Sequence, residues 1–203
     1  MSAHPSDRIR TARPAEAEIL AQLIARSFEP LAPSQWLVPD PAERRAIFPA
    51  YFRIYIEHAL KHGHVWTAQD YDGVAVWMHL PAGGRPPQSD YDDQLTMATG
   101  KYVHRFREFD RLLEKRHPTD REHDHLAMMA VNPRRQRRGV GSALLEEHHW
   151  GLDQASTPAY LEASDAGTRQ FYLRHGYRDA GEPIDFSDGI AMYPMIREPQ
   201  KPS

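Results

Sequence analysis

The sequence predicts a single α/β domain over residues 1–203, with helices packed on one central sheet. Three stretches carry that expectation. His64–Gln69 and Gly73–Leu80 are strand-like runs joined by the turn-rich Asp70-Tyr71-Asp72-Gly73, the pattern of a hairpin. Between Pro41 and Leu60 the apolar pairs Ile47/Phe48, Tyr51/Phe52, Tyr55/Ile56 and Ala59/Leu60 recur every four residues, as on a helix with one buried face. Leu126–Val131 is an apolar run closed by Asn132-Pro133. Four arginines in five residues follow, then Gly139-Val140-Gly141 and Ser142-Ala143-Leu144-Leu145, which reads as strand, basic loop and helix start.

The other elements follow in order. Arg8–Thr11 reads as a short first strand. Pro14 suits a first helical turn, and Ile19, Leu20, Leu23, Ile24 and Phe28 continue a helix to about Phe28. Glu29–Pro39 is a proline-rich loop, after which Asp40-Pro41-Ala42-Glu43 resembles a capped start of the helix that ends at Gly63. Pro81–Pro87 breaks all order, and Tyr91–Lys115 is helical in composition. Pro158–Ala163 reads as a buried strand and Gly167–His175 as a short helix closed by Gly176. Tyr177–Gly181 and Ile190–Arg197 finish the sheet, and residues 198–203 are expected to form a flexible tail.

Composition excludes several classes. No apolar run approaches the ~20 residues needed to cross a bilayer, so no membrane association is expected. The first residues, MSAHPSDRIRTARP, lack the apolar stretch of a secretory signal. Without cysteine there is no disulfide, thiolate metal site or thiol nucleophile, and a cytoplasmic protein is expected. A net charge of −3 with a single arginine run argues against nucleic acid as a partner.

The basic loop has a chemistry of its own. A helix N-terminus presents N–H groups without intrahelical partners and partial positive charge, which suits phosphate. Glycines at 139 and 141 let the backbone approach the anion, and the arginines add charge-assisted hydrogen bonds. A dinucleotide fingerprint needs a third glycine, where Leu144 stands, and a shorter strand-to-glycine turn than the seven residues between Val131 and Gly139. A P-loop needs Gly-Lys-Ser/Thr, which is absent. What remains, Gln136-x-x-Gly139-x-Gly141 after Val131-x-Pro133, resembles the acyl-CoA pyrophosphate loop of the GNAT superfamily of N-acyltransferases. Phe171-Tyr172-x-x-x-Gly176-Tyr177, after the strand Leu161-Glu162-Ala163, strengthens the resemblance. His64–Ala68 leading to Val74–Trp77, Leu126-Ala127 to Ser142, and Leu161–Ser164 resemble one branch in particular, the puromycin N-acetyltransferase-like proteins.

The resemblance implies a mixed, mostly antiparallel sheet of about six or seven strands flanked by helices, splayed at the cofactor strand. It also implies acetyl-CoA as cosubstrate, held by the backbone of Met129, Ala130 and Val131 and by Gln136, Arg137, Arg138, Gly139, Val140, Gly141 and Ser142. Direct acetyl transfer to a primary amine of a small molecule needs a base, an oxyanion donor and an acid for the departing thiolate. Glu162 is the candidate base and Tyr172 the candidate acid; backbone N–H groups near Met129 and Ala130 would polarise the thioester. Glu122, His123, Asp124 and His125 lie at the mouth of the same strand, where they could act through water. His123 and His125 share a strand face, yet no third ligand is signalled, so no metal site is expected. His148 and His149, adjacent on a helix, read as surface or packing residues. Homodimerisation is left open.

Overall fold

A computed structural model of the chain describes residues 9–84, 90–187 and 189–200. Arg8 of the expected first strand, 85–87 of the expected break and 201–203 of the expected tail lie outside them. The strands are β1 (Ile9–Thr11), β2 (Gly63–Ala68), β3 (Gly73–Leu80), β4 (His123–Val131), β5 (Ala159–Ala163), β6 (Arg178–Asp179), β7 (Ile184–Ser187) and β8 (Ile190–Arg197). The helices are α1 (Ala17–Phe28), α2 (Ala32–Leu37), α3 (Pro41–His62), α4 (Tyr91–Thr99), α5 (Val103–Glu114), α6 (Val140–Ala155) and α7 (Ala166–Leu173).

The sheet runs β1-β2-β3-β4-β5-β8-β6, with β7 paired to β8, and β4–β5 is its parallel pair. Among the described residues it has eight strands where about six or seven were expected, because Ile184–Ser187 forms a hairpin with β8 that the sequence pattern did not signal. Two further departures have simple causes. Pro33 sits in the first turn of α2 inside the expected loop, and burial of Pro33, Ser34 and Leu37 holds that short helix in place. The expected helix from Tyr91 to Lys115 is two, broken where Gly100 adopts φ 52°. No helix among the described residues is long and apolar enough to cross a membrane. Glu198 is held by Arg121 and Arg178, and the Gln200 N–H donates to Asp153 at 2.8 Å, so the start of the expected flexible tail is tied to the body.

The sheet is covered on both faces. Val74, Val76, Met78 and Leu80 of β3 face α1 and α3, whereas Ala75 and Trp77 face the α6 side. That two-sided burial explains why β3 reads as a continuous apolar run. In β4, Met128 and Ala130 join the first core, but Leu126 joins the second although it shares their parity. The reason is a register break: Val76 pairs with Met128 and Trp77 with Leu126, leaving Ala127 as an extra residue. This bulge reverses which residues of β4 point to which face. Asp124 consequently points to α6, where His148 Nε2–H donates to it at 2.8 Å, while His125 points to the opposite face.

Candidate active site

The expected anion cradle is a short, fixed turn. The Asn132 side chain accepts the Arg134 N–H at 3.1 Å, and the Asn132 N–H donates to the Asp72 carbonyl at 2.9 Å. Arg135 pairs with Asp72 at 3.1 Å, so the loop is tied to the β2–β3 turn. Gly139 is left-handed, φ 83°, and caps α6 without a side-chain hydrogen bond to its first N–H groups. A Cβ at Gly139 would meet nothing within 4 Å, so the space over the helix end is open. Gly141 differs: a Cβ there would lie 3.3 Å from Phe171 and close to Val131 and Met129, so the backbone passes tight against α7 and β4. The side chains of Arg137 and Arg138 are exposed beside this turn. Ser142 donates to His175 Nε2 at 2.9 Å, because His175 Nδ1–H is directed to the Phe171 carbonyl. Val140 packs against the β4 side of the core.

Beside the cradle the sheet opens. Parallel pairing of β4 with β5 is confined to Asp124–Ala159 and His125–Tyr160, so the strands part beyond His125. A cavity of about 580 Å³ fills the gap and extends under α1, α3 and α5; Met129, Ala130, Val131 and Gln136 line it at the cradle end, and Glu162 and Tyr172 line its wall. Its far wall is aromatic: Tyr51, Phe52, Tyr55 and Tyr91 line it. Tyr91 donates to Asp110 at 2.7 Å and lies 2.7 Å from Tyr55, a network that braces α3 against α4 and α5. The β7–β8 hairpin closes one side, with Phe186 stacked on Phe109 and Trp36 donating to Ser187 at 2.8 Å.

The deep wall holds a polar cluster. Glu162 has a side chain only 5 % exposed, and His125 Nε2 lies 2.9 Å from its Oε2. Burial opposes charge there, but the neighbouring His125 and His117 prevail and hold the Glu162 carboxyl far below the usual range. His117 Nδ1 lies 3.6 Å from Oε1, and its Nε2 lies 2.9 Å from His123 Nε2. His123 Nδ1 is 3.1 Å from the Arg121 carbonyl, and burial pushes His123 toward its neutral form. His123 and His125 do share a strand face, both rings lying against His117 and Tyr160, but their polar partners differ: His123 Nε2 meets His117 and His125 Nε2 meets Glu162.

Residues 116–199 match the family model described as Acetyltransferase (GNAT) domain. Among solved structures, the chain is similar to a histone acetyltransferase HPA2 and related acetyltransferase from Corynebacterium glutamicum, at 26 % identity over 97 % of this chain and 98 % of that one, with a TM-score of 0.69. The chain is an acetyltransferase, and its likeness to the GNAT domain covers residues 116–199. Its fold is also that of arylalkylamine N-acetyltransferase 2 from Aedes aegypti (14 % identity, 95 % and 99 % covered, TM-score 0.64). The same holds for Chaetomium thermophilum Naa20 in complex with a bisubstrate analogue (16 % identity, 94 % and 85 % covered, TM-score 0.53). Acetyltransferases of this kind draw the acetyl group from acetyl-CoA. The open helix end at Gly139 and the parted strands fit such a ligand, one at its phosphates and the other at its extended arm.

Two other sequence expectations for this acetyltransferase are resolved by its packing. Asp124 and Glu122 do not enter the cavity: Asp124 is engaged by His148 and His79, and Glu122 is exposed. His148 and His149 are not surface residues. His148 accepts from Trp66 Nε1 at 3.0 Å and stacks on Trp77, and His149 Nε2 lies 2.9 Å from the Tyr177 hydroxyl. Burial, and then the charge of Arg197, push His149 down to about 3. The unfolded chain takes up that proton near pH 6.5 and the native state refuses it, so this contribution is complete above about pH 6.5 and declines as pH falls toward 3. One such histidine costs about 2 kcal/mol between pH 7 and pH 5. His149→Gln is expected to shrink the difference in urea midpoint between those two pH values; an unchanged difference would remove His149 as its source.

Proposed function

We propose that this acetyltransferase acetylates a primary amine of a small, largely aromatic molecule in the cytoplasm, by direct attack on acetyl-CoA. The observation that carries this reading is the concave, aromatic-walled cavity with Glu162 and His125 on its deep wall. A pocket of this size, with apolar and aromatic walls and a few polar groups, takes a drug-sized ligand.

The residues divide the work. The first N–H groups of α6, with Gly139 open above them and Arg137 and Arg138 alongside, would hold the diphosphate. Backbone donors of β4 near Met129 and Ala130 would stabilise developing negative charge on the acyl oxygen. Glu162, ionised and braced by His125, would accept the proton of the attacking amine. Tyr172, a buried phenol of α7 on the cavity wall, would donate to the departing thiolate; burial raises its pKa, so it stays protonated at neutral pH and is available as a donor.

The test is thiol release from acetyl-CoA against a panel of primary amines, with puromycin included because of the branch resemblance. Turnover of one or more aromatic amines is expected. Acetylation of peptides with no turnover of any small amine would replace this reading with a protein acetyltransferase. Acetyl-CoA binding without turnover of either would favour a regulatory protein. Tyr172→Phe is expected to lower kcat by at least about tenfold with acetyl-CoA affinity retained, as for loss of one general acid; unchanged kcat takes Tyr172 out of the reaction.

A further inference from the structure

The hydrogen bonds around His117 fix the proton on its Nε2. A carbonyl only accepts, so His123 Nδ1 carries the hydrogen that meets the Arg121 carbonyl at 3.1 Å. In that tautomer His123 Nε2 accepts, and His117 Nε2–H donates in their 2.9 Å contact. His117 Nδ1 then faces Glu162 Oε1, a buried oxygen with no hydrogen-bond partner among the described residues: a protonated ring meets the carboxylate with its N–H, a neutral one with a lone pair. Two lone pairs aimed at each other inside a protein are repulsive unless a cation lies between them.

A proton alone fits the spacing poorly. Charge-assisted N–H···O contacts close to about 2.7–2.9 Å, whereas this one is 3.6 Å. Ligands of a tetrahedral zinc ion, bonded at about 2.0–2.2 Å, stand about 3.4 Å apart. His117, His125 and Glu162 each offer one ligand atom, and these atoms lie within 4.8 Å of one another, a span that small side-chain rotations close. The hydrogen bond from His117 Nε2 to His123 is also the outer support that metal-bound imidazoles use to fix their ring and tautomer.

We propose that His117, His125 and Glu162 form a binding site for a divalent transition ion of the zinc class, and that its occupancy blocks acetyl transfer. Three protein ligands leave a fourth position open to the cavity. The set is nitrogen and oxygen only, which suits zinc or cobalt rather than ions that prefer thiolates. Inhibition follows because the ion takes the lone pairs of Glu162; this half rests on Glu162 acting as base, whereas binding does not.

Cobalt(II) is the probe, followed by its visible absorption and by calorimetry and displaced by zinc. One ion per chain with a tetrahedral-type spectrum is expected. His117→Ala, His125→Ala and the near-isosteric Glu162→Gln, each checked for an unchanged melting transition, should each weaken binding at least tenfold. The competing surface site is His58 with His62, four residues apart on α3 with ring centroids 5.0 Å apart, so His62→Ala should leave the signal unchanged. Loss of the signal in His62→Ala, or its survival in the His117 and His125 variants, overturns the site. Zinc should also inhibit thiol release in the active parent, with recovery on chelation. Stoichiometric binding dependent on the three ligands, without inhibition, would uphold the site and overturn its blocking role and the placing of Glu162 in the reaction.

Discussion

Gly141→Asp is expected to weaken acetyl-CoA binding by at least about a hundredfold, roughly 2.7 kcal/mol, while the protein stays folded. Two effects act together. The new Cβ would sit 3.3 Å from the Phe171 ring, so α7 must yield by a few tenths of an ångström. The carboxylate then lies in the first turn of α6, where the helix dipole favours it. The same partial charge that would hold a phosphate now holds the protein's own anion, which is why folding survives and binding does not. Gly139→Asp reaches the same end differently, by adding charge in open space and strain at φ 83°. Gly141→Ala separates the two, since it brings the contact without the charge. Isothermal titration with acetyl-CoA reads all three, and parental affinity in both aspartate variants sinks the cradle.

What was legible in the sequence is what short-range chemistry dictates. The glycine turn, the capped start at Asp40, whose side chain accepts the Glu43 N–H at 2.8 Å, and the β2–β3 hairpin each depend on a few contiguous residues. The splay between β4 and β5 was reached through resemblance, and the pairing pattern agrees with it. The missed features come from register and tertiary contact. The extra residue Ala127 leaves the apolar run Leu126–Val131 looking uniform, yet it decides that Asp124 faces α6 and His125 the cavity. His117 lies outside the strand, in a turn after α5, and only folding brings it to Glu162, which is why no third ligand was signalled beside His123 and His125. The β7 strand is four residues long and polar at two of them, too short to show a period.

Glu162→Gln is expected to lower kcat by about a hundredfold or more, within the range of removing a general base, and to leave acetyl-CoA affinity within about twofold. The substitution keeps shape and an acceptor oxygen for His125, so the wall of the cavity is preserved. What disappears is the charge that His125 and His117 stabilise against burial. Binding is spared because the cradle stands at the other end of β4, on the far side of Leu126–Val131. His125→Gln provides the comparison: it removes the brace rather than the carboxylate, so its expected loss of kcat is smaller. Should Glu162→Gln turn over within threefold of the parent while His125→Gln does not, the proton passes to the imidazole, and Glu162 becomes the residue that positions it.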